Sequence, residues 1–354
     1  IYTTEDTLSL HDALPIFVTT AARRALLICA PFFGYHTHIR EGLERRGYAV
    51  DYRDDRPSQS LVVKATLRVR PSTLTGLTDA YLAKILDETA TRDYDLILVI
   101  NGRTLTPSFL QVLRAAHPRA TVVLYVWDAL TLYPQILDLA DLCDRRFTFD
   151  SADAQAHPEF ALLPLFYASP YGEIGARAST TPPAYDIVSI CTAHENRYAL
   201  LRDLVPALEG RGLRVFSFMY LDWLRFAYYR LRSPAFSGAH RREFSFRPLS
   251  AAQTLATIAN TNAALDINHE AQTGLTMRTI ETVGARRKLI TTNPHVTTYS
   301  LYDPANVLVI DPTQPDLDAI GDFLAHPSRA LDDTIYASYS LDHWLDTVTG
   351  SEGA

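Results

Sequence analysis

From Arg24 onward, apolar residues come in short unbroken runs, separated by stretches in which they recur every three or four positions. RALLICAP (24–31), AVDYRD (49–54), YDLILVING (94–102), ATVVLYVWDA (120–129), RRFTFD (145–150) and LLPLFY (162–167) read as strands. FFGYHTHIREGLERRGY (32–48), TGLTDAYLAKILDETATR (75–92), TPSFLQVLRAAHP (106–118) and a stretch near 133–141 read as helices, with Thr106 as a cap and Pro107 at the first helical position. Strands that are apolar at every position, rather than at alternate ones, are covered on both faces. Alternating with helices, they predict a parallel sheet between two helical layers.

The rhythm stops at ASPYGEIGARASTTPPA (168–184), where Ser, Thr, Pro, Gly and Ala predominate, and this predicts a linker. It then restarts. YDIVSICT (185–192), LRVFSFMY (213–220), NAALDI (262–267), KLIT (288–291) and NVLVIDP (306–312) read as strands, with helices over NRYALLRDLVPALEGRG (196–212), AAQTLATIANT (251–261) and PDLDAIGDFLAHP (315–327). The fold class expected is α/β, with two Rossmann-like doubly wound domains facing a cleft. The domain reading is 21–167 for the first half, 168–184 for the linker, 185–325 for the second half, and 326–354 for a C-terminal helical tail free to pack back on the first half. In such sheets ligands bind outside the carboxyl ends of the strands, so the cleft is the expected site.

Residues 1–20, which open with IYTTEDTLSLHDALPIF, have neither the charge and apolar pattern of a signal peptide nor a clean amphipathic face. They resemble translated adapter read-through and are expected to be a non-native or disordered tail. The chain of 354 residues is 47% hydrophobic and carries a net charge of −7 without a basic block, so nucleic acid is not an expected partner. Cys29, Cys143 and Cys191 are odd in number and scattered, with no CxxC, which argues against a disulfide framework and structural zinc. No run of about 18 apolar residues is present. A cytoplasmic location is expected, with peripheral contact at the inner face of a membrane through DWLRFAYYRLR (222–232), which is aromatic and basic if helical. The other option for that segment is a buried helix with arginines at its rim.

Between the strands at 262–267 and 288–291 lies a polar stretch, NHEAQTGLTMRTIETVGARR. It fits a loop entering a helix near Thr273 or Thr276, with Met277, Ile280 and Gly284 on one packed face. A helix amino end with a close-approaching glycine, Gly274, suits an anion, and Glu281 one to two turns along suits a ribose diol. Set between an EFSFRPLS segment (243–250) and VLVIDP, this layout resembles the nucleotide-binding half of glycosyltransferases with the two-Rossmann-domain (GT-B) fold. The wording is similar to a bacterial group of capsular or lipopolysaccharide biosynthesis proteins near the CgeB-like glycosyltransferases, over roughly residues 24–330.

The resemblance implies donor-binding roles. Glu281 would hold the ribose, and Gly274, Leu275 and Thr276 would meet the diphosphate. Phe246, Arg247 and Pro248 would frame the base, and Arg197 would meet phosphates. Arg278 would neutralise phosphate or pair with Glu281. In the family an earlier glutamate precedes the ribose glutamate. Counting back at that spacing reaches Thr273, with Glu270 three residues earlier and Gln272 between, so which of these touches the sugar stays open. Asp266 and Asn268 alternate with Leu265 and Ile267 at a strand end and can reach the cleft. Catalytic candidates are His36 and His38 in the loop after the first strand, and Asp128 at the end of another strand, any of which can take a proton from an acceptor hydroxyl. The HxH pair lacks a third metal ligand, and the resemblance implies chemistry without metal or cofactor beyond the nucleotide sugar.

The function expected is transfer of a sugar from a nucleotide-diphosphate donor to a cell-surface polysaccharide or lipid-linked glycan. The alternatives are a nucleotide-sugar epimerase and a degenerate nucleotide-binding protein. Glu281→Ala is expected to weaken nucleotide binding while leaving the melting temperature nearly unchanged.

Overall fold

A computed structural model describes residues 23–57, 75–177, 182–270 and 272–351. The N-terminal tail reading and residues 178–181 of the linker lie outside these. Five of the unbroken apolar runs become strands β1 (Arg23–Ile28), β2 (Tyr48–Arg53), β3 (Leu96–Ile100), β4 (Thr121–Val126) and β5 (Arg145–Thr148); of the LLPLFY run only Leu162 is in a strand, β6 (Ala161–Leu162), because Pro164 has no N–H to give a ladder. They form one wholly parallel sheet in the order β2-β1-β3-β4-β5-β6. Helices α1 (Tyr35–Arg45), α2 (Thr75–Thr89), α3 (Pro107–Ala116) and α4 (Ser151–Ala156) make the crossovers. Thr106 caps α3 by accepting from Phe109 N at 3.2 Å. The stretch near 133–141 is a 3₁₀ run, Pro134–Leu142, rather than an α-helix. Its apolar residues Ile136, Leu139 and Leu142 repeat every three positions, which suits three residues per turn.

The segment read as a linker instead contains helix α5 (Ser169–Ala176). Its glycines serve packing. A Cβ on Gly175 would collide with the Gly284 carbonyl oxygen, so backbone meets backbone there. Beyond it, β7 (Tyr185–Thr192), β8 (Val215–Tyr220), β9 (Thr261–Asp266), β10 (Lys288–Thr291) and β11 (Val307–Val309) form a second parallel sheet, ordered β11-β10-β9-β7-β8. Its helices are α6 (Glu195–Glu209), α7 (Trp223–Arg232), α8 (Ala251–Ala259), α9 (Met277–Gly284) and α10 (Leu317–Ala325), with α11 (Asp333–Ser338) and α12 (Leu341–Thr349) after them.

Each sheet begins with a strand whose two neighbours lead in opposite directions: β1 between β2 and β3, and β7 between β8 and β9. The crevice outside the carboxyl ends at such a switch point is where open α/β sheets take ligands. Helix α12 lies on the first half. Trp344 is fully buried with its ring 4.8 Å from both Tyr125 and Phe166, and Arg46 pairs with Asp342 at 3.0 Å and Asp346 at 2.9 Å. One apolar cluster runs through both halves, joining Tyr35, Phe149 and Tyr167 of the first to Leu275, Ile280 and Leu289 of the second.

Candidate functional site

The two switch points open on a common cavity of about 720 Å³. The loop after β1 supplies Phe32, Phe33 and Gly34, and the first turn of α1, where the histidines stand rather than in the loop, supplies Tyr35 and His38. The end of β7 and the start of α6 supply Cys191, Thr192, His194 and Arg197, and β9 and α9 supply Asp266, Thr276, Arg278 and Glu281. One end is apolar, walled by Ile190, Phe218, Leu249 and Leu255. Cys191 borders the cavity, and burial pushes its thiol up to about 11.

Glu281 is only 6% exposed and is held from two sides. Arg278 Nη1 donates to Oε2 at 2.5 Å, and the Tyr35 hydroxyl, from the opposite half, donates to Oε1. Burial works against the Arg278 charge, but the carboxylate beside it prevails and holds the guanidinium pKa up. Burial, then the Glu281 charge, raises the Tyr35 pKa, so its phenol keeps its proton and donates. Each carboxylate oxygen has a further lone pair, so Glu281 can still accept from two vicinal hydroxyls. Tyr171, from α5, shares this pocket wall, with its pKa also raised by burial and by Glu281.

The loop before α9 does not meet the cavity as expected. Thr273 N and Gly274 N donate to Asp150 Oδ2 at 2.7 and 2.9 Å, and the Thr273 hydroxyl bonds the same carboxylate. Asp150 is buried, ends the β5 run, and also caps α4 through Ala152 N at 2.9 Å. Gly274 is small because Phe149 lies over it: a Cβ there would be 2.5 Å from the ring. Leu275 is core. These three thus form a joint between the halves rather than a phosphate cradle. Glu270 accepts from Asn196 Nδ2 at 2.5 Å outside the cavity lining, and Gln272 donates its backbone N–H to His269 O and also stands outside it.

The amino end of α9 is likewise occupied. The Thr276 hydroxyl accepts from Thr279 N at 3.2 Å, and Asp266 Oδ2 accepts from the Thr276 and Thr279 hydroxyls at 2.7 and 2.8 Å. A carboxylate at that end disfavours a second anion. One other helix start on the cavity wall, that of α6 after His194, has no side-chain cap. Helix α1, after Gly34 (φ 83°), lacks a side-chain cap as well, but its Tyr35 and Thr37 N–H groups are taken by Phe32 O at 2.9 Å and Gly34 O at 3.0 Å. Arg197, in the first turn of α6, spends Nε on Ile267 O at 2.8 Å and keeps donors to spare.

Of the residues expected around the base, Pro248 lines the cavity. Phe246 packs instead against Trp223 and Phe226 at 5.9 and 5.6 Å, and Arg247 is exposed outside it. Of the catalytic candidates, His38 lines the cavity. His36 does not: its ring lies 5.1 Å from Tyr52, and burial lowers its pKa. Asp128 is also off the wall, taken up by Asn101 Nδ2 at 2.7 Å and by Arg103. The strand-end rule identifies all three histidine and aspartate positions as near the edge but does not say which way each side chain turns.

Two residues that sequence reasoning passed over are Tyr35 and Phe33. Tyr35 sits inside the GYHTH motif next to the histidines, with its partner 246 residues away. Phe33 is 63% exposed at the cavity lip with φ 43°, a left-handed conformation that a bulky residue adopts only at a cost of about 1–3 kcal/mol.

No protein-family model matches the chain, and no curated protein sequence matches it. Its structure has counterparts. Sucrose-phosphate synthase from Thermosynechococcus elongatus superposes with a TM-score of 0.58 at 11% identity, covering 93% of this chain and 98% of that one. The fold is GT-B. A glycosyltransferase from Rickettsia africae (TM-score 0.57, 10% identity, 94% and 98% covered) shares the GT-B fold with it. So does an alpha-glucosyltransferase solved with UDP and a mismatched DNA 13-mer (0.55, 9%, 92% and 99%). At these identities it is the two-sheet architecture that is common to them.

Proposed function

We propose that this GT-B chain is a glycosyltransferase moving a sugar from a nucleotide-diphosphate donor to a hydroxyl of a cell-surface polysaccharide or lipid-linked glycan, without a metal ion, as in the bacterial capsular, lipopolysaccharide and CgeB-like group it resembles. The observation that carries the reading is Glu281, buried, doubly oriented by Tyr35 and Arg278, and open to a cavity between the two switch points.

In this reading the ribose hydroxyls donate to Glu281 and the base enters the apolar end. The diphosphate lies toward the uncapped amino end of α6, with Arg197 beside it. The N–H groups and dipole of that helix take the charge that develops as the bond from the anomeric carbon to the phosphate oxygen breaks. His38 is the candidate base on the cavity wall, accepting the acceptor's proton if the configuration inverts. The acceptor approaches past Phe32 and Phe33.

Calorimetry against UDP, GDP, CDP and TDP tests the donor side, and product analysis with and without acceptor glycan tests the transfer. Binding of at least one nucleotide and acceptor-dependent sugar transfer are expected. Binding of none, or donor turnover that proceeds without any acceptor, overturns the proposal.

A further inference from the structure

Helix α7 turns its apolar stripe the wrong way for a globular protein. Phe226 faces inward and is buried against Phe244 at 5.4 Å. On the opposite side Leu224, Tyr228 and Leu231, at i, i+4 and i+7, are 71%, 61% and 83% exposed, with Trp223 beside them at 52%. A surface helix ordinarily places polar residues on that side, and a contiguous exposed apolar stripe marks a contact surface.

Charge surrounds the stripe. Residues 222–247 contain Arg225, Arg230, Arg232, Arg241, Arg242 and Arg247 against Asp222 and Glu243, a local excess of four positive charges (six minus two) in a chain of net −7. All six but Arg225 are exposed, and among the described residues Arg225 alone of them has an acidic partner, Asp222 at 3.1 Å. The Arg241 guanidinium lies over Trp223 at 4.8 Å. This pairing of apolar stripe and arginine rim is what an anionic lipid surface complements. A second copy of the chain would bring the same arginines face to face. The surface adjoins the cavity, since Pro248 and Leu249 come directly after Arg247 and line it. Among the described residues no helix is long and apolar enough to cross a membrane.

We propose that α7 and the 241–247 segment dock this chain on an anionic membrane surface. Leu224, Tyr228 and Leu231 enter the boundary between headgroups and acyl chains, and the arginines bind headgroup phosphates. The surface stands on its own exposure and charge and does not require the donor chemistry.

The test is co-sedimentation of the full chain with vesicles of phosphatidylcholine alone or mixed with phosphatidylglycerol, at rising NaCl. Binding to the mixed vesicles alone, weakening with salt, is expected. Removing Arg232 and Arg242 together should weaken it by about fivefold per charge. Leu224→Ser with Leu231→Ser should lower it at least about tenfold while far-UV circular dichroism and the melting temperature stay unchanged. Absence of binding to the anionic vesicles at low salt, or binding indifferent to these substitutions, overturns the proposal. So does light scattering that shows a dimer dissolved by the leucine substitutions without vesicle binding, which would make the face a contact between copies.

Discussion

Gly274→Ala separates the two roles that this glycine can play. Gly274 does not adopt a left-handed φ, so alanine meets no backbone strain. Its whole penalty is the clash of the new methyl with the Phe149 ring, at 2.5, 2.6 and 3.0 Å from three ring carbons. Phe149 and Gly274 are both buried, so neither swings away freely. Overpacking of this kind costs about 1–3 kcal/mol, and the less flexible unfolded chain returns about 0.4–1 kcal/mol. A net loss of about 1–2 kcal/mol is expected. With an unfolding entropy of about 2.1 cal/mol/K per residue over 354 residues, this lowers the melting temperature by about 1–3 °C. The assays are urea unfolding and calorimetry with UDP. Stability should fall while UDP affinity holds within about twofold, because the Gly274 N–H serves Asp150 and not a ligand. Phe149→Leu in the same chain should recover about 1 kcal/mol of the loss beyond additivity, the coupling expected of touching side chains. An unchanged stability with lost UDP binding, or no coupling to position 149, would refute the joint and return Gly274 to the phosphate.

Other perturbations test the same geometry. Glu281→Ala leaves Arg278, 16% exposed at the cavity wall, without its partner and should destabilise by up to about 3–5 kcal/mol in urea unfolding as well as abolish nucleotide binding, contrary to the expectation from sequence that stability would be spared. Asp150→Ala removes a helix cap and the acceptor for two backbone N–H groups, and a loss of about 2–4 kcal/mol is expected. Burial first, then the neighbouring Asp54 charge, pushes the Asp55 carboxyl up to about 7 against the opposing pull of Arg56. Folded Asp55 thus binds its proton more tightly than in the unfolded chain. Its contribution is fully present below about pH 4 and lost as pH rises to about 7, so Asp55→Asn should flatten the decline in stability between about pH 4 and 7. An equal slope in wild type and variant would count against the buried, protonated carboxyl.

The two-sheet architecture was legible because continuous apolar runs of four to eight residues, spaced by helical periods, have few arrangements open to them other than a parallel sheet covered on both faces. Cap chemistry was legible for the same local reason at Thr106, and was narrowed to Thr273 or Thr276 before α9, where Thr276 is the cap. Composition misled where glycine had a distant cause. Gly175 read as part of a linker but lets α5 approach Gly284 closely, and Gly274 read as a phosphate loop but accommodates Phe149.

What the sequence alone determined about this protein is the local physics: which segments are strands or helices, which strand ends carry polar groups, and that a glutamate stands one to two turns into a helix after a polar loop. Only the tertiary structure decided what each of those groups faces. Tyr35 and Glu281, 246 residues apart, meet because two switch points confront each other. Asp150 takes the backbone N–H groups that looked free, and His38 turns to the cavity while His36 and Asp128 turn away. Strand and helix periods repeat within a few residues and are written in the local pattern. The direction of a side chain across a cleft depends on how two separately formed sheets pack, and no local pattern carries that.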